Sequence, residues 1–294
     1  MSRWGFQIGA VAVEARGSEL NRLASMVPPR GRGTLAPFSK FTLHDPATLL
    51  LTAEAVESES LGSTLPLLYD EESHRVHSDG LATAFILHGS AQGARESVQV
   101  DLPPERGQGR LRYSKSLTTN PLIWAPLPEL LVLDATTRGG GLLMHSAALA
   151  TAGGGFLLSG PSGAGKSTIS RATAQMEGVR ILSDERVVVR PADQGWLLDG
   201  TPWIGDGLFH ERESIRLRGL ILLEKSTEDR LESLSPARAL SLLYRCHFPA
   251  FWLDGGEARS LANLERLVSE VPAYLLHNRL GGQAPEMLLS ELAA

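Results

Sequence analysis

The chain has 294 residues, 43% of them hydrophobic and 21% charged, with a formal net charge of −5. At roughly 100 to 200 residues per domain this length leaves room for two domains, and the balance of residue types excludes a disordered or fibrous chain. Basic residues are scattered singly, which excludes a nucleic-acid footprint, and the one cysteine, Cys246, excludes an intramolecular disulfide framework.

The opening stretch MSRWGFQIGAVAVEARG has a short apolar patch broken by Gln7 and Glu14, unlike a signal peptide. No apolar run approaches the roughly 18 residues that a membrane span needs. A cytoplasmic protein without a membrane partner is expected. Over residues 1–120, short apolar segments such as ATLLLTAEAV and LATAFILHG alternate with Gly62, Asp79-Gly80 and Pro103-Pro104. That spacing predicts a mostly β domain, with a helix over 14–25 as an alternative for that segment. It holds no recognisable catalytic motif, and acceptor recognition is the role left for it. His74 and His77 have no matching carboxylate or cysteine and read as surface residues.

Pro121, Pro126 and Pro128 mark a junction, after which PELLVLDATT predicts a short helix closed by Gly139-Gly140-Gly141. A second domain over 121–294 is expected from there. LLMHSAALA and FLLSG read as two strands of an antiparallel hairpin joined by TAGGG. STISRATAQMEG predicts a helix closed by Gly178, RILSDERVVVR a strand, and WLLDGTPW, 205–218 and GLILLEKS a strand, a loop and a strand. Helices over 236–245 and 257–271, a strand at AYLLHN and a last helix over Ala284–Leu292 complete the chain.

FLLSGPSGAGKST contains Gly160-x-x-x-x-Gly165-Lys166-Ser167, the G-x-x-x-x-G-K-[ST] pattern, between a predicted strand and a predicted helix. Side chains are nearly absent from the loop, so the backbone N–H groups from Gly160 through Ser162, Gly163, Ala164 and Gly165 can turn on phosphate oxygens. The helix that carries Thr168 adds its positive N-terminal end. Lys166 reaches the terminal phosphates and Ser167 offers a hydroxyl to Mg²⁺. The pattern points to ATP with Mg²⁺. It also stands out because lysine is scarce here: Lys40, Lys115, Lys166 and Lys225 are all there are.

The second half of such a site is a carboxylate at a neighbouring strand end, and Asp184-Glu185 follow Ile181 and Leu182 in that position. Asp184 either holds Mg²⁺ or accepts the proton of an attacking hydroxyl, and Glu185 does the other job. His145 sits among apolar residues on the strand expected beside the loop, placed either as a core histidine or as a participant. Asp199 to Trp203 reads as a turn. Cys246 reads as a small apolar core residue.

The stretches LLMHSAALATAGGGFLLSGPSGAGKST, ILSDERVVV and LRGLILLEK resemble the catalytic domain of the HPr serine kinase/phosphorylase family and its phosphoenolpyruvate-carboxykinase-like relatives. The resemblance implies an α/β fold: a P-loop mixed-sheet domain with a smaller, mostly β N-terminal domain. It implies Asp184 as general base toward a serine hydroxyl, Lys166 and Ser167 on phosphate and metal, and His145 near the phosphates. Glu185 stands where that family has a second aspartate, and Arg216 where an acidic residue is expected. The 200–203 run looks like a feature of divergent HPr-kinase-related proteins.

The leading expectation is an ATP- and Mg²⁺-dependent kinase that moves the γ-phosphate to a hydroxyl, serine foremost, of a peptide or small protein. A small-molecule hydroxyl kinase and a nucleotide-binding regulator without transfer are the alternatives. A homo-oligomer is expected, its order left open.

Overall fold

The computed structural model describes residues 2–18, 20, 38–91, 94–117, 126–279 and 281–292. The fold is α/β, with two large mixed sheets. The chain divides into one compact unit of residues 1–34, 41–135 and 250–257 and a second of 35–40, 136–249 and 258–294. Of the junction expected over Pro121, Pro126 and Pro128, Pro121 lies outside the described residues, Pro126 and Pro128 stand at the start of a helix, and the two units part at 135/136.

In the first unit an eight-stranded sheet contains β1 (Ser2–Ile8), β2 (Val11–Gly17), β3 (Leu49–Val56), β4 (Leu67–Asp70), β5 (His74–Ser78), β6 (Thr83–Ala91), β7 (Ala94–Leu102) and β8 (Gln108–Ser114). Their spatial order is β1-β2-β3-β8-β7-β6-β5-β4. The helix considered over 14–25 gives way to strand as far as Gly17: Glu14 pairs with Gly5, Ala15 with Trp4 and Arg16 with Arg3, continuing a ladder that starts at Ile8 and Val11 across a turn where Gly9 takes φ +55°. The β-branched Val11 and Val13 just before it, paired with Ile8 and Phe6, set a ladder that carries 14–17 along as strand. Residues 21–25 lie outside the described residues. The Asp134 carboxylate, buried here, accepts from Arg106 Nε at 3.1 Å and from Trp252 Nε1 at 3.0 Å.

Helix α1 (Leu127–Arg138) ends as expected in the glycine run, where Gly140 takes φ +77° and the Gly141 N–H returns to the Thr136 carbonyl at 2.9 Å. The second unit then runs through β9 (Leu142–Met144), β10 (Ser146–Thr151), β11 (Gly154–Ser159), α2 (Lys166–Thr173), β12 (Arg180–Ser183), β13 (Val187–Pro191), β14 (Trp196–Asp199), β15 (Ser214–Lys225) and β16 (Arg230–Ser233). After these come α3 (Pro236–Leu243), β17 (His247–Phe248), α4 (Gly256–Glu270), β18 (Ala273–Asn278) and α5 (Ala284–Leu292). Ser235 caps α3, its hydroxyl accepting from the Arg238 N–H, with Pro236 in the first turn.

The expected hairpin is present: β10 and β11 pair antiparallel, Ser146 opposite Ser159, while β15 runs parallel to both β11 and β18. Alternate residues of these strands enter two separate cores. Leu157, Ala148, Leu220, Leu222 and Leu275 join Leu243, Leu264 and Leu267 in one. Phe156, Leu158, Leu149, Ile221, Leu223 and Leu276 join Ile169, Ala284 and Leu288 in the other. Strand period two therefore explains the continuous apolar run of FLLS, since both faces are covered. At about 1.5–3 kcal/mol per buried Leu or Phe, a one-residue slip would cost both cores their fit.

The structure corrects three sequence expectations. LLMHSAALA is two strands rather than one, β9 and β10, parted at His145; RILSDERVVVR is likewise β12 and β13, parted at 184–186. β9 pairs with β13 and β10 with β12, so the chain changes ladder at both points. The loop expected over 205–218 is shorter, since β15 begins at Ser214 to pair with β14.

Candidate active site

β11 ends at Ser159 and the chain turns through 160–165 into α2. Gly163 and Gly165 take φ +76° and +105°, and a Cβ on Gly165 would stand 3.0 Å from Asn278 Oδ1. Asn278 Nδ2 in turn donates to the Ala164 carbonyl at 3.2 Å and the Glu224 carbonyl at 3.0 Å, tying the loop to the ends of β15 and β18. No side chain caps α2 at Gly165, so its first N–H groups are left to an anion.

Lys166 is 8% exposed and folds over its own loop, donating to the Gly160 carbonyl at 2.8 Å and the Pro161 carbonyl at 3.4 Å. Burial lowers its pKa, partly offset by Cys246 and Glu185 nearby. Among the described residues no carboxylate comes within ion-pair distance of it. A buried ammonium held by carbonyl dipoles alone fits a phosphate chain.

His145 and 184–186 occupy the two places where the chain changes ladder. The His145 N–H donates to the Cys246 carbonyl at 2.7 Å, and Nδ1 lies 3.6 Å from Glu185 Oε1. Arg186 Nη1 donates to the same oxygen at 3.3 Å, its guanidinium 5.3 Å over the Phe248 ring. Burial, and after it the Lys166 charge, holds the imidazole below its usual pKa, with Glu185 pulling the other way.

The Asp184 carboxylate is 3% exposed and faces a different group: its oxygens accept from the Gly205 N–H at 2.9 Å and the Gly207 N–H at 2.5 Å. Ser183 Oγ and Thr201 Oγ1 both donate to the Arg186 carbonyl, and Arg171 of α2 reaches the Asp206 carbonyl at 2.6 Å. The 184–186 turn is thus fixed by hydrogen bonds on both sides. Residues 199–203, read from sequence as a turn, supply part of that support. Gly200 is needed there, because a Cβ would fall 1.9 Å from the Glu211 carbonyl oxygen.

Lys166, His145 and Glu185 therefore come together beside the glycine loop, while Asp184 lies next to them with both oxygens engaged. Ser167 is half-buried in the first turn of α2 and Thr168 is exposed beside it. Among the described residues no three His, Cys, Asp or Glu gather into a metal-binding cluster. Mg²⁺ held through phosphates needs one or two protein oxygens, and the hydroxyl of Ser167 with the Asp184 carboxylate fits that demand.

Cys246 was missed as a neighbour of the site. It is 4% exposed and packs in a core as expected, yet its thiol lies at the Gly160 backbone and near Lys166, with burial pushing its pKa up. Asn278 was missed too. Neither carries a local sequence signal, since long-range strand order alone brings them to the loop. Two cavities flank the loop, one of about 430 Å³ that includes Gly165, Thr168, Ile169, Asn278 and Arg279, and one of about 380 Å³ beside Gly160 and Cys246. No helix among the described residues is long and apolar enough to cross a membrane.

No curated protein matches the chain. Among solved structures, the Hpr(Ser) kinase/phosphatase from Coxiella burnetii is similar at 16% identity and a TM-score of 0.31, over 51% of this chain and 87% of that one. The family model described as SynChlorMet cassette protein ScmC matches residues 122–288, which include the glycine loop, both ladder changes and most of α5. That match spans more than half of the sequence, and the chain belongs to the SynChlorMet cassette protein ScmC family.

Proposed function

We propose that the second unit is an ATP- and Mg²⁺-dependent kinase that moves the γ-phosphate to a hydroxyl, a serine of a peptide or small protein. The observation that carries this reading is the buried Lys166 ammonium, bonded to loop carbonyls alone, with the His145–Glu185 pair beside it. A nucleotide holder would need the first; an acid and a neutral imidazole facing the same place suit transfer.

In this reading the nucleoside lies in the cavity beside Thr168 and Asn278, and the triphosphate runs along the loop amides toward Lys166. Glu185 takes the proton of the acceptor hydroxyl. The acceptor oxygen forms its bond to the γ-phosphorus as the bond to the β–γ bridging oxygen breaks, and ADP leaves with that electron pair. Lys166 and the α2 N-terminus meet the charge that develops there. When bound, Mg²⁺ would supply charge neutralisation at the phosphates, with Ser167 and Asp184 as the residues that would hold it. The base role expected of Asp184 is given to Glu185, which lies beside His145, while Asp184, anchored by the 205–207 amides, is left to the metal. Arg186, which donates to Glu185 Oε1 at 3.3 Å, orients that carboxylate, with His145, kept neutral by burial, beside it.

The test is incubation of the full chain with γ-labelled ATP, Mg²⁺ and a lysate from the source cells, with the labelled acceptor identified by mass spectrometry. Wild type should label a discrete acceptor and Lys166→Ala should not. Equal labelling by both proteins would remove the proposal.

A further inference from the structure

The 160–164 segment also walls the second cavity, of about 380 Å³, on the side lined by α3. That volume suits one small organic group. Its apolar lining comes from the buried Leu222 and Leu275 and the exposed Leu242, and the cations Lys225, Arg238 and Arg245 stand around it against one acid, Glu224. Glu224 already pairs with His277 Nδ1 at 3.1 Å, and Arg238 with Glu232 Oε1 at 3.0 Å. Among the described residues, Lys225 and Arg245 have no carboxylate within ion-pair reach, and both are exposed. Cys246 lines the same cavity and lies near Lys166, which puts the cavity at the lysine end of the loop rather than at the Thr168 end.

We propose that this cavity binds the phosphoryl acceptor through a carboxylate carried on an apolar body. The inference rests on the phosphotransfer reading and adds a substrate class to it. An apolar lining alone would accept many neutral groups. The cations at its mouth select an acid, because a neutral or cationic occupant would cover Arg245 and leave its charge uncompensated. The nucleoside is assigned to the other cavity, which Thr168 lines and which shares Gly163 and Lys225 with this one.

Anilinonaphthalene sulfonate, an aryl acid that fluoresces in apolar sites, tests this together with its neutral analogue phenylnaphthylamine. Each is titrated into the full chain saturated with Mg²⁺ and a non-hydrolysable ATP analogue, while a fluorescent ATP derivative reports nucleotide binding in parallel samples. The sulfonate should bind with nucleotide in place and at least roughly tenfold more tightly than the neutral dye. Arg245→Ala should weaken it about tenfold, the scale of one charge-assisted hydrogen bond, and Arg238→Ala, whose guanidinium already pairs with Glu232, by less, with nucleotide binding unchanged in both. Three results would overturn the proposal: no sulfonate binding, displacement of the sulfonate by nucleotide, or arginine variants that bind it as wild type does. Failure of the wild-type chain to bind the fluorescent nucleotide would instead overturn the phosphotransfer reading, and the acceptor role with it.

Discussion

His145 Nδ1 stands 3.6 Å from Glu185 Oε1, although each residue sits where its own chain segment leaves one ladder for another. Neither side chain belongs to a strand, so both are free to face the glycine loop while their backbones stay anchored. Burial and the Lys166 charge favour the neutral imidazole, and protonation brings a second cation close to the first.

The sign of the pH dependence follows from that depressed pKa. The unfolded chain binds the proton at about pH 6.5, before the folded one does, so stability from this group is present above about pH 6.5 and falls as pH drops through the folded value. Urea unfolding at a series of pH values should show this loss in wild type. His145→Asn should flatten the profile in that window.

Lys166→Met should separate binding from folding. The ammonium is held by carbonyls at a desolvation cost, so its loss should leave the melting temperature of the nucleotide-free chain unchanged or slightly higher. With Mg²⁺ and ATP at about one hundred times Kd, wild type should gain about 2.7 kcal/mol and the variant close to nothing. Calorimetry with and without nucleotide reads both.

Asp184 and Glu185, adjacent in sequence, should behave oppositely. Asp184→Ala strips two buried amides of their acceptor and should cost about 2–4 kcal/mol in denaturant unfolding. Glu185→Gln disturbs only a partly exposed ion pair with Arg186 and a 3.6 Å contact with the neutral His145, and should change stability by less than about 1 kcal/mol. Transfer from labelled ATP should be lost in the Glu185 variant even though it folds and binds nucleotide. Retained transfer there would return the base role to Asp184.

Gly165→Ala forces a side chain into φ +105° against Asn278 Oδ1. The conformation alone costs about 1–2 kcal/mol. Fluorescent-nucleotide titration should show binding lost beyond what that destabilisation explains, because relief of the contact shifts Asn278, which holds the Ala164 carbonyl of the loop.

The sequence made the local parts of the site legible and left the long-range parts hidden. The glycine loop, its hairpin and the order of the C-terminal elements follow from spacing, and AYLLHN and Ala284–Leu292 fall where their patterns place them. The breaks at His145 and 184–186 do not, because apolar residues continue through them and periodicity cannot register a change of partner strand. The same limit hid Asn278 and Cys246. Asp184 and Glu185 look interchangeable as letters, and the amides of Gly205 and Gly207 are what set them apart.

β15 is twelve residues long and meets β14 near its start, β11 in its middle and β18 toward its end. A deletion of a single codon within it would exchange Leu220 and Leu222 with Ile221 and Leu223 between opposite faces, and would turn Lys225 away from the cleft it borders. The connections that flank this strand can therefore take up a change of length at lower cost than the strand itself, whose register is held by three partners at once.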